Sequence, residues 1–167
     1  KHKQESAVEA LRGFSQQGHR LSKLLLGTLL LEGARFIELC EAEGQLLLRE
    51  AAGDGCAGAA ETLAGHLVES SETFEEGIDI LRDLAELGRQ TCQYQLAKLL
   101  ANVNSACLIP CYVDYAEAIY WYTRVVVDHG QHDVVAASAF NITILLDGKH
   151  PGVPVDMALK RRMQDIA

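Results

Sequence analysis

The chain has 167 residues, 49% of them apolar and 23% charged, which excludes disorder and a collagen-like fibre and leaves room for one core or a stack of small units. Fifteen Lys and Arg against 23 Asp and Glu give a net charge of −8, which argues against a sequence-independent grip on nucleic acid. The longest apolar run, Leu24 to Leu31, is about half of what spans a bilayer, and four Phe, five Tyr, one Trp and three Pro favour packed helices over a β-sandwich.

In chain order, Ser6 to Gln17 reads as a helix with Val8, Leu11 and Phe14 on one side, closed by Gly18. Leu21, Leu24, Leu25, Leu29 and Leu30 then form an apolar stripe that ends at Gly33. A second stripe, Ile37, Leu39, Cys40, Leu46, Leu47, Ala51 and Ala52, stops at Gly53-Asp54-Gly55. The next pair runs from Ala57 through Leu63 and Leu67, breaks at Glu69-Ser70-Ser71 and restarts behind Thr73, the expected N-cap, with Glu75 and Glu76 well placed for the helix dipole. Cys92, Leu96, Leu99 and Leu100 mark another helix. A long connection, Asn102 to Val113, leads to Asp114, the expected N-cap of its partner. From His132 a helix carries Val134, Ala137, Phe140, Ile144 and Leu145, and the turn Asp147 to Gly152 leads into a last helix begun at Asp156.

These segments repeat. Gly18, Gly55, Gly88 and Gly130 lie 37, 33 and 42 residues apart, with two helices per period. A single pair of this size cannot bury its apolar face alone. The expected fold is therefore all-α, a right-handed α-α superhelix (solenoid) of stacked antiparallel helix pairs, about nine helices in one domain over residues 1–167. The chain opens in mid-repeat, which points to an N-terminal segment before it, and the last helix, with Lys160, Arg161 and Arg162, is expected to cap the stack. Cys40, Cys56, Cys92, Cys107 and Cys111 are too few and irregular for a disulfide scaffold; Cys107 and Cys111 flank Pro110 and could bridge in an oxidising compartment, but idle thiols are the simpler reading. Nothing here separates bacterial cytoplasm from periplasm.

Val113-Asp114, Ala118-x-x-Trp121-Tyr122-x-Arg124 and Gly130 resemble the repeat signature of the Sel1-like family, relatives of the tetratricopeptide repeats. Val125 and Val126 stand for the usual alanine pair, with one extra residue before Gly130. Degenerate copies keep the register: Ala7, Leu11 and Gly18; Gly44, Leu47, Leu48, Ala51, Ala52 and Gly55; Gly77, Ile80, Leu81, Ala85 and Gly88. The step from small residue to glycine is 11 in all three. Leu26-Gly27, Leu63-Ala64 and Leu96-Ala97 fall where the family has a Leu-Gly pair, and Gly152-Val153-Pro154-Val155-Asp156 resembles its inter-repeat turn. Such small residues let helices approach closely and the aromatic pair fills the groove between repeats, so these positions specify fold rather than chemistry.

Chemistry is sparse in the sequence. His129 and His132 with Asp128 and Asp133 have metal-ligand spacing but lack a clear third and fourth ligand, so a polar turn is the favoured reading. Glu69, Glu72, Glu75, Glu76 and Asp79 read as a solvated face and a helix start rather than paired catalytic carboxylates. No nucleophile elbow or glycine-rich phosphate loop occurs, and neither enzyme activity nor a cofactor is expected. The resemblance implies a non-catalytic module that binds another protein, one with a basic surface given the acidic balance. Two versions follow: an immunity protein that neutralises a secreted bacterial toxin, and a scaffold or adaptor in a signalling or cell-envelope assembly. A metal-assisted hydrolase using His129 and His132 is the third alternative. The expected contact residues are Tyr94, Leu108, Ile109, Tyr112 and Tyr115, on and beside the long connection, where a loop on a rigid scaffold would carry recognition.

Overall fold

A computed structural model describes residues 2–33, 38–103, 109, 112–128 and 132–167. The described residues form nine α-helices and no strand: α1 His2–Gln16, α2 Arg20–Glu32, α3 Glu41–Gly53, α4 Ala57–Leu67, α5 Phe74–Glu86, α6 Gln90–Leu100, α7 Tyr115–Val127, α8 His132–Leu145 and α9 Met157–Gln164. They fall into two compact units, residues 1–80 and 81–167, with the division inside α5.

Helix ends follow local chemistry. Gly18, Gly55 and Gly88 take φ of +87°, +82° and +84°, the left-handed conformation that releases the chain from a helix at no steric cost. Asp114 caps α7 by accepting from the Glu117 amide at 2.9 Å, and Asp156 caps α9 by accepting from Ala158 and Leu159 at 3.0 and 2.9 Å. Thr73 precedes α5 as expected, but its hydroxyl donates to the Leu67 carbonyl at 2.8 Å and so ties the α4–α5 turn together. Gly130, the fourth closing glycine, lies outside the described residues, as do Ile37, Cys107, Leu108, Pro110, Cys111 and His129.

In the first unit α2 packs on α1, α3 and α4, and α3 packs on α4. Its core joins Leu31, Leu48, Ala51, Cys56, Ala59, Leu63 and Leu67, with Ile80 of α5 against it. The buried face of α2 differs from the expected stripe: Leu26, Gly27, Leu30 and Leu31 are inside, whereas Leu21 and Leu25 are exposed. Seven leucines in α2 support more than one stripe at helical spacing, and close approach decides among them. A Cβ on Gly27 would stand 3.0 Å from the Gly44 carbonyl oxygen, and one on Gly44 would stand 3.0 Å from the Gly27 carbonyl oxygen, so α2 and α3 meet backbone to backbone here. The second stripe shifts too. α3 starts at Glu41, behind exposed Leu39 and Cys40, and buries Leu48 and Ala51 while Leu46 is exposed.

In the second unit α6 packs on α7, α7 on α8 and α8 on α9. α6 buries Cys92, Leu96, Leu99 and Leu100 as expected. α7 buries Ala118, Trp121, Tyr122, Val125 and Val126, the positions on which the repeat resemblance rests. On α8 the inner residues are Ser138, Ala139, Ile142 and Leu145, whereas Phe140 and Ile144, expected inside, face out. That helix is apolar on all sides, so periodicity does not choose its face. Repeat register does: Leu26-Gly27, Leu63-Ala64, Leu96-Ala97 and Ser138-Ala139 all lie eight and nine residues after a closing glycine, and all are buried.

Candidate functional site

The second helix of each period carries an arginine six residues before the closing glycine: Arg12, Arg49, Arg82 and Arg124. The first three each reach the glutamate that stands three residues after the N-cap position of the next such helix. In the first unit Arg12 meets Glu43 at 2.7 Å, and Arg49 grips both carboxylate oxygens of Glu76 at 3.0 Å. In the second unit Arg82 meets Glu117 at 3.3 Å. These pairs are half-buried to exposed, so each contributes about 0–1 kcal/mol, and their value is in fixing the register of neighbouring helices. The sequence reading passed over this ladder, although constant offsets from the closing glycines and N-caps would have found it. Lys23 adds a further tie from α2 to α3, with Glu50 at 3.1 Å and Asp54 at 3.2 Å holding its ammonium pKa above the ordinary value.

The expected contact residues sit around the α6–α7 connection, whose two ends are joined by the Asp114 amide donating to the Leu100 carbonyl at 3.0 Å. Asn102, at the start of this connection, has a φ of +51°. Tyr94 of α6 is half-buried; its ring stands edge-on to Tyr122 at 5.9 Å, and the Lys98 ammonium lies 5.6 Å from its centroid. Tyr115, at the start of α7, is half-buried with its ring 4.6 Å from that of His150. Ile109 and Tyr112 are half-buried in the connection itself, where the Tyr112 amide donates to the Ile109 carbonyl at 3.0 Å. Tyr94 and Tyr115 are thus each held by a different neighbour rather than stacked on one another.

Beneath them, Tyr122 is fully buried and its hydroxyl accepts from Asn141 Nδ2 at 3.1 Å. Burial holds its phenol well above the usual tyrosine pKa of 10.0, with the Tyr94 ring adding to the effect. Because the folded value is raised, the stabilising contribution of neutral Tyr122 is complete below pH 10 and is lost as pH rises further. Urea unfolding at pH 8, 10 and 11 should show a decline above pH 10 that shrinks in Tyr122→Phe. Equal declines in both proteins would mean that Tyr122 does not sense alkaline pH.

Two other surfaces were not singled out from the sequence. In the first unit Phe14, His19, Arg20, Leu21 and Ser22 border a depression of about 450 Å³, with Phe14 and His19 edge to face at 5.5 Å. In the second unit an apolar groove of about 390 Å³ lies between the end of α7 and α9. The signal for both was present as apolar residues in excess of those a packed face needs. His132 begins α8, and Asp128 at the end of α7 pairs with Arg124 at 3.9 Å. Among the described residues no three His, Cys, Asp or Glu side chains gather as metal ligands, and no helix is long and apolar enough to cross a membrane.

No family model and no curated protein matches the chain. Solved structures do. The chain is similar to a Sel1 repeat protein from Oxalobacter formigenes, with a TM-score of 0.66 and 16% identity over 96% of this chain and 62% of that one. It is also similar to a protective antigen present in uropathogenic Escherichia coli strains that displays an SLR fold, with a TM-score of 0.62 and 19% identity over 95% of this chain and 40% of that one. The chain therefore spans less than two thirds of either protein. Its fold is the all-α solenoid fold of Sel1-like repeat proteins.

Proposed function

We propose, from the Sel1-repeat fold and the tyrosines fixed around the α6–α7 connection, that this chain is a non-catalytic protein-binding module that neutralises its partner, as an immunity protein neutralises a secreted bacterial toxin. The observation that carries the reading is the state of Tyr94 and Tyr115, partly exposed rings already held by Tyr122, Lys98 and His150. Rings ordered in advance lose little entropy on binding, which is what makes tyrosine an effective interface anchor. The net charge of −8 selects a partner with a basic surface and speeds encounter at low salt.

Tyr112→Ala should weaken the complex by about 1 kcal/mol or more while leaving the thermal melt nearly unchanged. A lowered melt with unchanged binding would make the connection structural instead. Co-purification at low and moderate salt discriminates the roles. One stoichiometric partner whose activity is lost in the complex supports neutralisation. Several weak partners support a scaffold or adaptor, the second reading, which is favoured by the presence of a separate surface depression in each unit.

A further inference from the structure

The Arg–Glu ladder stops at α9. Arg124 stands at the ladder offset, six residues before Gly130, but the third residue after the N-cap Asp156 is Leu159 where α3, α5 and α7 carry Glu43, Glu76 and Glu117. Arg124 pairs within its own helix, with Asp128 at 3.9 Å. Leu159 instead lines the apolar groove with Val126, Val127, Met163 and Ile166, with Arg162 at its edge. Val127 and Ile166 are 60% and 42% exposed, an apolar surface left open.

The cations of α9 are equally unmatched. Every Lys and Arg side chain described outside α9 is engaged within the fold: Arg12, Lys23, Arg49, Arg82, Arg124 and Lys149 by carboxylates, Arg20 by the Asp54 carbonyl, Lys98 by the Tyr94 ring, and Arg89 as well. Lys160, Arg161 and Arg162 make no ion pair with a described residue. Of these only Arg162 lines the groove, because successive helix positions turn by about 100° and carry Arg161 to the far side of α9. An unpaired cation next to exposed Val127 and Ile166, in a chain of net charge −8, is complementary to a carboxylate beside an apolar stripe.

We infer that this groove docks an amphipathic helical segment of a partner protein, one with an apolar stripe flanked by Asp and Glu. The stripe covers Val127, Leu159 and Ile166, and a flanking carboxylate takes up the unpaired charge of Arg162 in the way Glu43, Glu76 and Glu117 take up the ladder arginines. The inference does not rest on the neutralising role, and the charge it requires of the partner is opposite to that expected for the encounter surface.

The test uses the full chain and a fluorescein-labelled 15-residue helical peptide with leucine at i, i+3, i+4, i+7 positions and glutamate at the flanks, against the same peptide with lysine for every glutamate. Anisotropy should show the acidic peptide binding at least about tenfold more tightly than the basic one, with affinity falling as salt rises. Arg162→Glu and, separately, Val127→Asp should each cost about tenfold or more, with circular dichroism confirming retained helix. Equal binding of the two peptides, or binding of the acidic one unchanged in both variants, would overturn the proposal. So would a concentration-dependent dimer of the free chain, seen by sedimentation and abolished by Val127→Asp, because the groove would then be filled by a second copy.

Discussion

Trp121→Ala should destabilise the second unit by about 3–5 kcal/mol, the cost of removing a large aromatic side chain from a packed site. Trp121 is 4% exposed; its indole N–H donates to Glu117 Oε1 at 3.1 Å, and its ring stands edge to face with Tyr120 at 4.9 Å. The same carboxylate oxygen of Glu117 accepts from Arg82 Nε at 3.3 Å, so the substitution opens a cavity and also removes a donor that holds the ladder glutamate. For a chain of this size the loss corresponds to a melting temperature lower by about 6–20 °C. Thermal circular dichroism checks it, with Trp121→Phe as an intermediate that keeps most of the apolar area. A melt unchanged by Trp121→Ala would remove the residue from the core and make it a binding anchor.

In the first unit the largest effect is expected from adding bulk where α2 meets α3. Gly27→Leu should cost about 3 kcal/mol, the upper end of the range for overpacking, because the new side chain meets the Gly44 carbonyl oxygen at 3.0 Å as well as Leu48 at 2.9 Å. A flexible side chain can turn away from such an intrusion; a backbone carbonyl inside a helix cannot. The gain in helix propensity, about 1 kcal/mol, offsets only part of this. Gly65→Ala supplies the contrast. Its new methyl would meet nothing within 4 Å in the last turn of α4, so it should stabilise, by up to about 0.5–1 kcal/mol. Urea unfolding of the two variants should move in opposite directions. If Gly27→Leu unfolds like the parent, α2 and α3 are not locked by that approach.

What could be read from the chain before its structure depended on how local each signal is. The stops at Gly18, Gly55 and Gly88, the Asp114 and Asp156 caps and the inner residues of α6 are decided within one helical turn, and they stand where expected. The inner faces of α2 and α8 are decided by neighbours. Seven leucines in one helix and an apolar residue on every side of the other leave periodicity without a preference, so Leu21, Leu25, Phe140 and Ile144 were assigned to the wrong side. The α6–α7 connection was legible as an insertion, whereas the rings that hold Tyr94 and Tyr115 come from Tyr122 and His150, which periodicity cannot bring to them. The Arg–Glu ladder joins residues about 30 apart, and only comparison between periods exposes it.

That ladder also bears on how such a chain can change length. Each rung takes its cation from one period and its anion from the next, always at the same two landmarks. Removing residues 19–55 would bring Arg12 into frame with Glu76, and duplicating the same stretch would add a rung with both members present. Whole-period insertions and deletions therefore preserve charge matching along the stack, whereas a cut that splits a period strands an arginine without its acid. Recombination at the closing glycines is the route of growth or loss that this architecture tolerates.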